Sequence, residues 1–114
     1  MNDKFLSFLG IAKRAGSLIF GMDEVKSKLL KGDVNLVVIA SDISENSEEK
    51  IRVFMENNSC EDKLVKIDFT KEDMEPIIGK YVAVMGVSDI NIAKKIRILA
   101  GEKFERNDAY NDQI

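Results

Sequence analysis

Histidine is missing from this sequence, and cysteine and proline occur once each, as Cys60 and Pro76. Without histidine the commonest general base and metal ligand is gone. A lone cysteine can form no internal disulfide and supplies no zinc-ligand spacing; it suits a reducing cytoplasm. No GxGxxG or GxxxxGKS/T nucleotide loop is present. No apolar run approaches the roughly 20 residues that span a bilayer. The opening stretch MNDKFLSFLG has neither the long apolar segment nor the small-residue cleavage site of a secretory signal. Acid pairs occur, but mostly on what read as exposed helix faces. These gaps point away from an enzyme, a cofactor, a metal site or a membrane protein, and towards a non-catalytic cytoplasmic chain.

What is present suits one compact domain. The chain has 114 residues, of which 45% are hydrophobic, enough for a core, and 32% charged, as a soluble surface requires. The net charge of −3 argues mildly against a nucleic-acid partner, because phosphate binding is largely electrostatic. Its distribution matters more. Residues 1–41 hold six Lys or Arg against four acids, residues 42–79 five against eleven, and residues 80–114 six against five. The acid load therefore sits in the middle third, and the two ends can still build a neutral-to-basic face.

Periodicity and turn signals predict helix and strand in alternation. Residues 2–14 form a helix with Phe5, Phe8, Leu9 and Ala12 on one face, closed by Ala15-Gly16. Ser17 to Phe20 is a short, edge-like strand. Residues 22–31 are helical and stop at Gly32. Asn35 to Ala40 (NLVVIA) is a strand buried on both faces. Ser44 or Asn46 caps a helix that runs to about Asn57, and Ser41-Asp42 is read as serving the same cap. Leu64 to Ile67 is a strand. Thr70 caps a short helix that Gly79 closes. Tyr81 to Val87 is a strand, and Ser88 caps the last helix. The expected fold is α/β, a three-layer α-β-α sandwich around a four-stranded mixed sheet. Residues 1–101 form the domain and residues 102–114 a polar C-terminal tail.

The stretch LIFGMDEVKSKLLKG, residues 18–32, marks the candidate site. A helix that starts directly after a strand offers unpaired backbone N–H groups, and glycine lets a phosphate or base come close. Gly21 equally makes a tight turn and nothing else. Asp23 and Glu24 either complement the helix dipole or accept hydrogen bonds from base donors such as guanine N–H groups. Lys13 and Arg14, near the end of the first helix, serve either that helix's dipole or an RNA backbone. Lys94, Lys95 and Arg97 read first as a solvated helix face. Cys60 reads as a buried or loop thiol.

The segment LGIAKRAGSLIFGMDEVKSKLLKGDVNLVVIASDISENSEEKI, residues 9–51, resembles the kink-turn RNA-binding ribosomal protein superfamily. That superfamily includes the large-subunit ribosomal proteins seven-Ae and thirty-e, and the likeness is strongest to its small bacterial YlxQ-type branch. LGIAKRAG, Gly21 with Glu24, KG and LVVIASDISEN follow in order without a gap. TKEDMEPIIGKYVAVMGVSDINIAKKI, residues 70–96, resembles the second half more loosely. The resemblance implies the same sandwich and a glycine-x-asparagine-glutamate corner, with a lysine three residues on, that reads an internal loop with sheared G·A pairs. Gly21 and Glu24 match, Asp23 stands for the asparagine, and Ser27 for the lysine. A second loop, before the last strand, falls on Ile78-Gly79-Lys80-Tyr81. There Lys80 serves the backbone and Tyr81 stacks on a base, or Tyr81 is the first strand residue in the core. Lys71 aligns with a basic position in some relatives.

The expectation is a non-catalytic, monomeric RNA-binding protein without a cofactor, partnered by a structured, kink-turn-like RNA and associated with the ribosome or a translation factor. Its site is Gly21, Asp23, Glu24 and Lys28 at the corner, with Lys13, Arg14, Lys80 and Tyr81 around it. The alternative is a protein-interaction module that keeps the fold without the RNA site, motivated by the acidic middle third and Ser27.

Overall fold

The computed structural model describes residues 3–108. The elements alternate as the periodicity predicts: α1 (Lys4–Arg14), β1 (Leu18–Phe20), α2 (Met22–Leu30), β2 (Leu36–Ile39), α3 (Glu45–Asn57), β3 (Leu64–Lys66), α4 (Lys71–Ile78), β4 (Val84–Val87) and α5 (Ile90–Asp108). A 3-10 turn over Glu61–Lys63 leads into β3. The sheet order is β1-β4-β2-β3. It is mixed: β4 runs antiparallel to both β1 and β2, and β3 is parallel to β2.

The run NLVVIA lacks polar alternation because both faces of β2 are covered. Leu36 and Val38 pack with Phe5 and Leu9 of α1, Met74 and Ile78 of α4, and Ile96 of α5. Val37 and Ile39 turn to the other side, against Val25 of α2 and Ile51 and Met55 of α3. Period-2 alternation thus sends successive residues into two cores, with three helices over one face and two over the other. Gly86 in β4 lets α2 close down on the sheet: a Cβ there would lie 3.4 Å from Val25 Cγ2 and 3.4 Å from Val34 Cγ1.

Most helix starts carry a side-chain cap, which satisfies amide groups that have no partner within the helix. Asp3 accepts from the Phe5 amide at 2.7 Å and Ser44 from the Ser47 amide at 3.1 Å. Thr70 and Asp73 cap α4 reciprocally, at 3.0 and 2.9 Å. Asp89, not Ser88, caps α5, accepting from the amides of Asn91 and Ile92 at 2.8 and 2.9 Å. Ser88 is held at Ser17, just before β1, where its amide and its hydroxyl donate to the Ser17 carbonyl at 2.9 and 3.3 Å; the hydroxyl points there rather than at the first turn of α5, and the cap falls one residue later. Asp42 does not cap α3 either. It accepts from the Lys71 amide at 3.0 Å and ties the end of β2 to the start of α4.

Two boundaries differ from the expectation by more than a residue or two. The last strand begins at Val84 rather than Tyr81, because its neighbours run out there: Ile39 pairs with Val84 and Phe20 with Met85. Ala83 keeps one hydrogen bond, accepted from the Ala40 amide at 2.9 Å; Tyr81 and Val82 lie outside the ladder, and Tyr81 is 59% exposed rather than in the core. The expected polar tail begins inside α5, which continues to Asp108; Glu, Lys and Arg in that stretch propagate a helix well. Residues 109–114 of that tail lie outside the described residues. No described helix is long and apolar enough to cross a membrane.

Candidate nucleic-acid interface

β1 ends at Phe20, and α2 begins two residues later at Met22. Gly21 makes the corner. It has φ 95° and ψ 149°, a conformation open essentially to glycine alone. Its N–H donates to the Val84 carbonyl at 2.9 Å, and its carbonyl accepts the Val25 amide at 3.0 Å. Backbone geometry is therefore sufficient reason for the glycine. The space above it is also open, since a Cβ there would meet no heavy atom within 4 Å.

No side chain caps α2, whereas the other four α-helices among the described residues have one. Its first-turn amides thus face outward beside an open corner, with the positive end of the helix dipole behind them. Asp23 and Glu24 stand exposed in that first turn. Lys28 lies one turn beyond Glu24 on the same helical stripe, and helical side chains lean back towards the N-terminus. Lys26 is drawn the other way, its ammonium 5.3 Å from the centre of the Phe54 ring on α3.

The loop between α4 and β4 comes to the same corner. Gly79 closes α4 at φ 75°, the left-handed turn that favours glycine. Lys80 follows, its ammonium 6.0 Å from the centre of the Phe20 ring, the residue next to Gly21. Lys13 reaches the other side of this loop: its Nζ lies 3.5 Å from where a Cβ on Gly79 would be. That puts a cation at the C-terminal end of α4, where the dipole is negative. Tyr81 is exposed, with the Lys71 ammonium 5.2 Å from its ring centre.

Arg14 is not brought to the corner. Its guanidinium folds back along α1, with Nη1 3.5 Å from where a Cβ on Gly10 would be and Ile77 of α4 beside it. Of the basic run on α5, Lys95 lies 5.8 Å from the centre of the Phe8 ring, and Arg97 donates to the Asp62 carbonyl at 2.6 Å. Those two pin α5 to its neighbours. Phe20 escaped the sequence reading, which treated it as a strand residue. The available signal was an aromatic immediately before the corner glycine.

Two ion pairs occur among the described residues, both on Glu48: Arg52 at 2.8 Å and Lys66 at 2.9 Å. Their hydrogen bonds, Lys66 first and then Arg52, hold the Glu48 carboxyl below its ordinary value. Asp23, Glu24, Lys13, Lys28 and Lys80 make no ion pair with another described residue. Burial pushes the half-buried Cys60 thiol up, which favours its protonated form. Among the described residues no group of three or more Cys, Asp or Glu is placed to hold a metal ion.

Fold and site together define a small α-β-α sandwich that presents an open strand-to-helix corner, reached by a loop that carries Lys80 and the exposed Tyr81. Residues 3–98 match the model of the ribosomal protein L7Ae/L30e/S12e/Gadd45 family, and the chain belongs to that family. It is similar to the RNA-binding protein YlxQ of Enterococcus faecium, 29% identical over 96 residues that cover 84% of this chain and 90% of that protein. A solved structure of a protein of unknown function from Bacillus halodurans superposes with a TM-score of 0.77 at 29% identity, covering 87% of this chain and 98% of the other. The 15.5kD RNA binding protein of Giardia lamblia superposes with a TM-score of 0.61 at 18% identity, covering 90% and 92%, a likeness of fold.

Proposed function

We propose that this chain is a non-catalytic RNA-binding protein whose Gly21 corner reads a structured RNA of the kink-turn type. The observation that carries the reading is the uncapped start of α2, open to its surroundings at Gly21, with Lys80 delivered beside it from another part of the chain and the exposed Tyr81 next in the same loop. Membership of a ribosomal protein family and the name of the Enterococcus relative support it.

In this reading the Glu24 carboxylate accepts from guanine N–H donors, and the α2 amides approach the RNA backbone. Asp23, in place of an asparagine, adds a second acceptor and offers no donor. Lys13, Lys28 and Lys80 meet phosphates, and Tyr81 stacks on an unpaired base. Arg14 joins them only by swinging away from Gly10. The protein acts as a monomer in the cytoplasm, on a ribosomal RNA or a translation-factor complex.

The test compares a kink-turn RNA with a control whose sheared G·A pairs are mutated, at low and physiological salt, using the natural chain and Glu24→Ala. Selective binding lost in Glu24→Ala is the expected result. Equal binding of both RNAs, unaffected by Glu24→Ala, would sink the reading and favour a protein-interaction module on the same fold.

A further inference from the structure

We infer that Phe20 is a positioning residue for Lys80: its ring holds the lysine ammonium beside the Gly21 corner, ready for an RNA phosphate. This rests on the reading of that corner as an RNA site.

The strand needs only an apolar side chain at position 20. Leu18 and Phe20 both face the core under α1, α4 and α5, as period-2 alternation requires, and Leu18 does so without a ring. Phe20 differs in having an aromatic face, and the Lys80 ammonium lies 6.0 Å from its centre. A cation is attracted to that face by the ring's quadrupole. Lys80 is otherwise exposed and has no ion-pair partner among the described residues. A free lysine samples many rotamers and gives up that freedom when it meets a phosphate. A ring that gathers the ammonium beforehand removes part of this cost.

The next residue of the loop is held from the opposite side. Tyr81 pairs with Lys71 at the start of α4, 5.2 Å from ring centre to ammonium, whereas Lys80 reaches the end of β1. The two contacts draw the loop between α4 and β1. Nothing in the alternation of residues 18–20 distinguishes this role from plain core packing; the juxtaposition with Lys80 does.

The test is a double-mutant cycle with Phe20→Leu, Lys80→Ala and both together, read as affinity for the same kink-turn RNA at fixed salt. Phe20→Tyr keeps the ring and is the rescue variant. NMR of the free protein follows the Lys80 ε-methylene protons, which a ring face shifts upfield, against those of exposed Lys94. The expected results are a loss of about two- to fivefold in Phe20→Leu, the worth of an exposed cation–π contact, no further loss when Lys80→Ala is already present, and natural affinity in Phe20→Tyr. Lys80 signals should lie upfield of those of Lys94 and move back in Phe20→Leu. An equal loss from Phe20→Leu in both backgrounds would overturn the inference, as would Lys80 signals coincident with those of Lys94 in the natural chain. The second observation needs no variant to fold. If the natural chain binds no kink-turn RNA while the Lys80 signals are shifted, the reading of the corner fails and this role falls with it. The free-protein spectrum tells that failure from a missing contact.

Discussion

The Lys71 ammonium lies over the ring of Tyr81, 5.2 Å from its centre, and leaves the tyrosine 59% exposed. A tyrosine held this way is a surface residue rather than a core one, and in the proposed reading it is the platform for an unpaired base. Replacing it with alanine should weaken kink-turn RNA binding by about 1–3 kcal/mol, the usual worth of stacking one base. Unfolding stability should change by no more than about 0.5 kcal/mol. Tyr81→Phe should bind as the natural chain does. Filter binding and urea denaturation check the three values, and a large stability loss would mean that the ring supports the fold.

Gly21→Ala tests the corner's backbone. The added methyl meets nothing within 4 Å, so any cost comes from conformation alone. An alanine forced to φ 95° and ψ 149° should destabilise the chain by about 1–3 kcal/mol. Thermal or urea unfolding reads this directly. No measurable loss would mean that the corner relaxes to another geometry.

Glu48 makes stability depend on pH at the acid end. Its folded carboxyl is held below the ordinary value of 4.5 by Lys66 and Arg52. The unfolded chain therefore takes up this proton first as pH falls. The contribution is complete above the ordinary value, shrinks as pH drops through the window beneath it, and is gone once the folded carboxyl protonates. Partners this exposed make it small, about 0.2–1 kcal/mol. Glu48→Gln should lose that amount at pH 7 and flatten the stability profile below about pH 4.5. Urea midpoints from pH 3 to 7 would show it.

Salt dependence separates phosphate contacts from bystanders. Lys13→Ala and Lys80→Ala should each lower RNA affinity and reduce the slope of log affinity against log salt by about 1. Lys94→Ala, on the exposed side of α5, should leave the slope unchanged. Titrations between low and physiological salt decide this, and an unchanged slope for Lys80→Ala would remove it from the interface.

The alternation of helix and strand was legible because its causes are local. Phe5, Leu9 and Ala12 repeat at helical spacing, and Thr70 signals the start of α4, where the structure adds Asp73 as its reciprocal partner. The two-sided burial of β2 followed from an unbroken apolar run. The reading failed where a distant partner sets the boundary. Tyr81-Val82-Ala83 has strand composition, yet the ladder stops at Val84 because β1 and β2 extend no further. Ser88 has cap chemistry, yet its hydroxyl is turned to the Ser17 carbonyl.

At the candidate site the same division holds. By itself the sequence determined the elements, the glycine corner with its two acids, and the membership that its ordered motifs carry, since these depend on neighbours along the chain. Only the tertiary structure decided which charges share a surface. It turned Arg14 back over Gly10 and Lys26 towards Phe54, and brought Lys80 to Phe20 and Lys13 to Gly79. The physical reason is reach: a lysine or arginine side chain sweeps a wide arc, and its resting place is chosen by rings, dipoles and carbonyls contributed by other elements of the fold.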